Sequence, residues 1–333
     1  MNLKLILFFL SVNIFILYYF KKISQFINIF DYPDSIRKFH KNRVALIGGH
    51  LILFNLIILF ILNLIFKEYL LSDFLSKEKN IFFIISFFLL FILGTLDDKF
   101  SISANRKLII SFIIISTFLY LDNHSVLKEI RFSFLDKIIY LKDYSFFFTL
   151  LCILLFINAF NMFDGINLQS GLYALIMLLY LLFINFNEKF YYILIISLFF
   201  FLFLNYKNKA FLGDAGTYLI SFILSYCFIQ NYNSSKILYA DQIFFIMLFP
   251  GLDLLRLTIL RIFHKRHPFS ADRYHIHHLL LVRFGYGKTI LIIFLITLSI
   301  AILSSNQLFN YLYIAAFSCI YVYLTSPIYI SKK

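Results

Sequence analysis

The chain has 333 residues, 62% of them hydrophobic and only 14% charged, with a formal net charge of +13. An ordinary soluble domain is about 45–50% apolar and about 25% charged, so an exterior that faces water over most of the chain is excluded. The excess positive charge is divided among short segments between apolar runs, which argues against nucleic acid and for anionic lipid and phosphorylated substrates.

A helix crossing the hydrocarbon core needs roughly 20 predominantly apolar residues. Eleven such runs are predicted, at 3–20, 44–66, 81–96, 108–121, 146–160, 168–186, 190–206, 216–230, 243–262, 288–303 and 308–326. The expected fold class is all-α: a polytopic integral membrane protein with about eleven transmembrane helices, forming one domain over 1–333. The first run resembles a signal peptide, but it lacks a small-residue cleavage site and is followed by Lys21 and Lys22, so a retained helix with its N-terminus outside is predicted. Cys152, Cys227 and Cys319 each fall within an apolar run and read as packing residues.

Alternating spans put alternate loops on opposite sides. Twenty of the 30 Lys and Arg residues then fall on one side, including Lys21, Lys22, Arg37, Lys38, Lys41 and Arg43 in a single loop. The more basic side is expected to be cytoplasmic.

The polar residues concentrate at the ends of runs on that side. The third run ends in Gly94-Thr95-Leu96-Asp97-Asp98-Lys99. Adjacent carboxylates at a membrane boundary need a cation, a proton or a basic partner, and pairing with Lys99, Arg106 or Lys107 at a solvated helix end also accounts for them. The fifth run leads into Asn158, Asn161 and Asp164, spaced three apart on one helical stripe and followed by Gly165. Interhelical hydrogen bonding explains the two amides as well as a ligand would, whereas a carboxylate next to a flexible glycine suits a ligand approached by side chain and backbone together. Phe211-Leu212-Gly213-Asp214-Ala215-Gly216-Thr217 opens the eighth run and puts Asp214 at or near an N-cap, where plain capping competes with binding of a diphosphate and its metal. After the ninth run comes Arg273-Tyr274-His275-Ile276-His277-His278, which reads better as donors to phosphate oxygens than as a zinc site, because no cysteine or close fourth ligand accompanies the histidines. All four groups share the cytoplasmic face, which points to one site for anionic substrates with a hard divalent cation, Mg2+ suiting carboxylates and phosphates.

These motifs, together with Asp31-Tyr32-Pro33-Asp34-Ser35-Ile36-Arg37-Lys38-Phe39-His40 and Gly48-Gly49, resemble those of the polyprenyl-phosphate N-acetylhexosamine-1-phosphate transferases (glycosyltransferase family 4). They occur in family order from about Asp31 to His278, and the His-x-His-His pattern resembles the undecaprenyl-phosphate branch that starts envelope polysaccharides such as lipopolysaccharide. The resemblance implies a multi-pass enzyme of the bacterial inner membrane, its active site facing the cytoplasm. Such an enzyme takes a UDP-N-acetylhexosamine donor and a polyprenyl phosphate acceptor and releases UMP. It requires Mg2+, with Mn2+ as an alternative, binds no nucleic acid, and is compatible with a homodimer. Carried onto this chain, it implies catalytic Asp97 and Asp98, metal-binding Asp214 and Asp98, and substrate-binding Arg37, His40, Lys107, Asn158, Asn161, Asp164, Arg273, His275, His277 and His278. Two positions depart from the family pattern: Asn167 stands where a second Asp is usual, and Ala45 where Pro is common. A polytopic transporter or lipid flippase and a non-catalytic homologue are the rival readings. Direct attack by the lipid phosphate and a covalent aspartyl-phosphate route are both open at this stage.

Overall fold

The computed structural model describes residues 3–33, 42–66, 79–185, 189–267, 274–306 and 309–326. Its helices in chain order are α1 (Leu3–Tyr18), α2 (Phe20–Ile27), α3 (Gly48–Phe66), α4 (Lys79–Phe100), α5 (Ala104–Leu121), α6 (Ser145–Phe163), α7 (Gln169–Ile184), α8 (Lys189–Tyr206), α9 (Gly213–Asn233), α10 (Ala240–Ile246), α11 (Leu248–Phe263), α12 (Ile276–Ser304) and α13 (Asn310–Thr325). The strands are minor. β1 (Phe30–Asp31) pairs antiparallel with β2 (Val44–Leu46), β2 pairs parallel with β5 (Ala210–Phe211), and β3 (Glu129–Ile130) pairs antiparallel with β4 (Ile139–Tyr140).

The chain is a multi-pass membrane protein, but the expected eleven spans reduce to fewer among the described residues. Six helices are long and apolar enough to cross a bilayer, and eight if the bent pairs α1 with α2 (72°) and α10 with α11 (74°) each count as one span. Every predicted run falls mainly on helix, although the run at 44–66 opens on β2. The discrepancy comes from α7 and α13, with 16 residues each, and from α9, whose apolar residues are interrupted by Thr217, Ser221, Ser225, Gln230 and Asn231.

Helix α9 has no need of a lipophilic surface because it is the axis of the bundle. It packs against α3, α4, α6 and α7, and nearly every residue from Ala215 to Tyr232 is buried. Its hydroxyls turn inward: Ser221 donates to the Thr217 carbonyl at 2.5 Å and Ser225 to the Ser221 carbonyl at 2.8 Å, so they are satisfied within the helix. Phe83 and Tyr226 stack at 4.1 Å between centroids where α4 crosses α9, and Phe118 of α5 meets Phe222 edge-on at 5.3 Å. A second polar tie lies between α1 and α3, where the Asn13 and Asn55 amides exchange hydrogen bonds of 2.8 and 3.1 Å.

The closest approach of α4 to α9 decides the position of the site. A Cβ at Gly94 would collide with the backbone of Asp214 and Ala215, so only glycine lets the two helices meet there. One turn further along α4 come Asp97 and Asp98, which are therefore delivered directly to the first turn of α9.

Candidate active site

Asp97 and Asp98 hold different partners. Asp97 Oδ1 accepts the Ile102 backbone N–H at 2.6 Å, securing the tight turn between α4 and α5, and its Oδ2 accepts the Lys107 ammonium at 2.5 Å. Asp98 reaches the other way: its two oxygens accept the backbone N–H groups of Asp214 at 2.8 Å and Ala215 at 3.1 Å. The amides at the start of α9 are thus capped by a carboxylate from another helix, which also faces the positive end of the helix dipole. The sequence had suggested Asp214 itself as that cap. The correction has a backbone cause: Gly213, at φ +73°, turns the chain so that the α9 amides present themselves to Asp98, and a Cβ there would lie 2.6 Å from the Asp98 carboxylate.

Relieved of capping, the Asp214 carboxylate accepts from the Asn161 amide at 2.8 Å and from Lys107 at 3.3 Å. The same Asn161 nitrogen donates to Thr217 Oγ1 at 2.9 Å, tying α6 to α9. Lys107 therefore bridges Asp97 and Asp214, its side chain one-fifth exposed against 6% for Asp97 and 30% for Asp214.

Asp164 caps the end of α6 and accepts from the Ser170 hydroxyl. Burial pushes its carboxyl up to about 7, with the nearby Asp214 charge adding to the rise and the Ser170 hydrogen bond opposing it. Next to it, Gly165 lies under the ring of His277, so close that a Cβ would occupy the ring position. The Asp-Gly and His-x-His-His motifs are in this way packed on one another. The rings of His275 and His277 are nearly parallel with centroids 5.3 Å apart, and those of His277 and His278 lie 4.3 Å apart.

These groups border an open cavity of about 1340 Å³ at the ends of the helices. Asp97, Asp98, Lys107, Asp164, Asp214 and His278 are among its lining residues, as are Tyr206, Asn208, Leu281, Val282 and Tyr286. The lining thus mixes charged, polar and apolar side chains.

Of the residues expected in the site, the structure brings together Asp97, Asp98, Lys107, Asn161, Asp164, Asp214, His277 and His278. Asn158 is not joined to them by any of its described bonds: its amide donates back to the Leu154 carbonyl at 2.7 Å. His275 is held at its Nδ1 by Asp253 at 2.8 Å. Arg37, His40 and Arg273 lie outside the described residues. Sequence reasoning missed Thr217, Ser170 and Asp253. Thr217 falls three residues after Asp214 at the start of a helix and could have been found by that spacing, whereas Asp253 lies inside an apolar run and carries no motif signal.

The two departures also acquire reasons. Asn167 Nδ2 donates to the Asn205 carbonyl at 3.1 Å and to Asn208 Oδ1 at 2.5 Å, roles a carboxylate cannot fill. Ala45 N–H donates to the Lys209 carbonyl at 3.4 Å where β2 meets β5, a bond proline would lack.

Among the described residues no three side chains of the His, Cys, Asp and Glu type form a preformed metal cage. The clustered carboxylates nevertheless fit Mg2+, which binds through one or two carboxylates and completes its shell with water and substrate phosphate.

Residues 80–231, from α4 to the end of α9, match the profile of glycosyl transferase family 4. The undecaprenyl-phosphate alpha-N-acetylglucosaminyl 1-phosphate transferase of Salmonella typhi is 28% identical over 313 residues, covering 90% of this chain and 81% of that protein. The protein of the same name from Thermotoga maritima is 28% identical over 304 residues, covering 90% and 88%, and that from Escherichia coli K12 is 26% identical over 313 residues, covering 90% and 81%. The likeness to glycosyl transferase family 4 covers less than half of the chain by that profile and nine-tenths of it by these relatives. The matched stretch holds Asp97, Asp98, Lys107, Asn161, Asp164 and Asp214, while His277, which packs on Gly165, comes from beyond it.

Proposed function

We propose that this protein transfers an N-acetylhexosamine 1-phosphate, N-acetylglucosamine being the first candidate, from a UDP-sugar to undecaprenyl phosphate at the cytoplasmic face of the inner membrane. The product would start a cell-envelope polysaccharide. The observation that carries the reading is the convergence of Asp97 and Asp98 from α4, Lys107 from α5 and Asp214 from α9 at one open cavity, with Asn161 from α6 bonded to Asp214. The names of the relatives supply the reaction class.

In the reaction, an oxygen of the lipid phosphate attacks the sugar-linked β-phosphorus of the donor. The bond from that phosphorus to the bridging oxygen breaks, and UMP leaves with the oxygen. Asp97 orients the lipid phosphate and takes its proton if it arrives protonated. Lys107, on moving from the carboxylates to a phosphate, offsets negative charge, and His278, which lines the same cavity, offers a donor to phosphate oxygens, while the buried His277 packs on Gly165. Asn161 and Asp164 orient the nucleotide side of the donor. Asp214, with Asp98, would hold Mg2+, which supplies charge neutralisation at the diphosphate.

The deciding experiment incubates purified protein in lipid nanodiscs with undecaprenyl phosphate, Mg2+ and each of several radiolabelled UDP-N-acetylhexosamines. A labelled lipid and stoichiometric UMP are expected, with turnover nearly abolished in D97N, D98N and D214N proteins that still accumulate in the membrane. No lipid product from any donor would refute the transferase reading.

A further inference from the structure

Asp253 lies on α11, is 2% exposed, and belongs to none of the motifs. Its surroundings are nonetheless saturated. Oδ1 accepts the Ile276 backbone N–H at 3.0 Å, the Tyr321 hydroxyl at 2.7 Å and an Arg256 Nη2 hydrogen at 3.2 Å, while Oδ2 accepts His275 Nδ1 at 2.8 Å. Arg256 also donates from Nε to Tyr321 at 2.9 Å and from Nη2 to the Tyr274 carbonyl. One buried carboxylate thus joins α11, the first turn of α12 and the last helix α13.

Scaffolding alone would be served by apolar packing, since a buried charge is costly unless fully bonded. The choice of carboxylate has two specific results. It caps the first turn of α12, the turn that presents His277 to Gly165 and His278 to the cavity. It also fixes the proton of His275 on Nδ1, leaving Nε2 as the ring nitrogen open to a further partner, and sets the plane on which the His277 ring lies.

We propose that Asp253 is a positioning residue for sugar-phosphate transfer, acting through His275 and the first turn of α12 to hold the histidine cluster against the Asp164-Gly165 loop. The proposal rests on the transferase reading above. It adds a residue outside the matched stretch and assigns α13, through Tyr321, a part in supporting the site.

The test compares wild type, D253N, H275N and the double variant in nanodiscs, measuring kcat, KM for donor and lipid, and Tm. Asparagine retains an acceptor for Ile276 N–H and Tyr321 but presents an amide N–H to His275 Nδ1, forcing the other tautomer. The expected result is at least a tenfold fall in kcat per folded protein for D253N, with both KM values within about threefold and kcat read well below its Tm, which drops by several degrees as Arg256 loses its partner. H275N should lose a similar factor, and the double variant no more than H275N alone, because the two residues act as one unit. Wild-type kcat in D253N, or losses that multiply in the double variant, would overturn the proposal. So would a kcat that declines only in step with folded protein. Should D253N fail to accumulate, H275N reads the pairing from its other side: a tenfold loss of kcat with Tm retained supports the proposal, and wild-type kcat ends it. Wild-type protein inactive with every donor would instead strike the transferase reading itself, a result distinguishable from an active wild type with an indifferent D253N.

Discussion

Replacing Lys107 with methionine removes the cation between Asp97 and Asp214 while keeping most of the side-chain volume. With the ammonium at 2.5 and 3.3 Å from the two carboxylates, an effective dielectric of 20 gives gross attractions of roughly 7 and roughly 5 kcal/mol. Desolvation of all three groups offsets much of that, and removing one partner from a buried pair typically costs about 3–5 kcal/mol net. At about 2 °C per kcal/mol for a chain this long, the Tm of K107M in EDTA should fall by about 6–10 °C. Millimolar Mg2+ should narrow the gap, because a divalent ion replaces the missing charge and stabilises K107M more than wild type. Thermal unfolding of both proteins in detergent, with and without Mg2+, measures this directly. Equal Tm values in EDTA would refute the claim that Lys107 neutralises the cluster, and a gap unchanged by Mg2+ would refute the claim that a divalent ion binds the same carboxylates.

Asp164, pushed up to about 7 by burial, binds its proton more tightly folded than unfolded; its contribution to stability is therefore present at low pH and declines as pH rises from about 4 through about 7. In metal-free buffer the Tm of D164N minus that of wild type should thus grow between pH 5 and pH 8, and a flat difference would place the carboxyl in an ordinary environment. N167D restores the usual family residue yet should destabilise by roughly 1–3 kcal/mol, since a carboxylate would face the Asn205 carbonyl and Asn208 Oδ1 instead of donating to them; an N167D protein as stable as wild type would contradict that bonding. G165A should displace the His277 ring, and its loss of Tm should be partly recovered in G165A/H277A, whereas strictly additive losses would mean that the two residues are not in contact.

Much of the architecture was legible because apolar runs are long and local: each predicted run corresponds mainly to helix, and the polar motifs sit at helix ends as expected. The segments around Asp97, Asp164, Asp214 and His278, which the charge pattern had assigned to one face, do border one cavity. The number of spans was less legible. Bends between Tyr18 and Phe20 and at Met247 depend on packing, and α9 lies at the axis of the bundle, which no hydropathy pattern reveals. Partner choice was least legible. Nothing local distinguishes Asp97 from Asp98, yet one faces α5 and the other α9 because Gly94 admits α9 on one side only. Asn158 and Asn161 share a stripe, but only Asn161 stands opposite Asp214.

The paired aspartates therefore perform a division of labour in the structure. Asp98 neutralises the amides at the start of α9, and this releases Asp214 to turn its carboxylate toward Asn161, Lys107 and the cavity. Asp97 meanwhile fixes the turn that carries Lys107 into place. Asp214 keeps a side chain 30% exposed, against 6% for Asp97, and it is the carboxylate that the proposed function assigns to Mg2+. On that proposal, donor affinity titrated against Mg2+ should rise with the metal in wild type and lose that dependence in D214N, and an equal dependence in both proteins would refute Asp214 as the metal ligand.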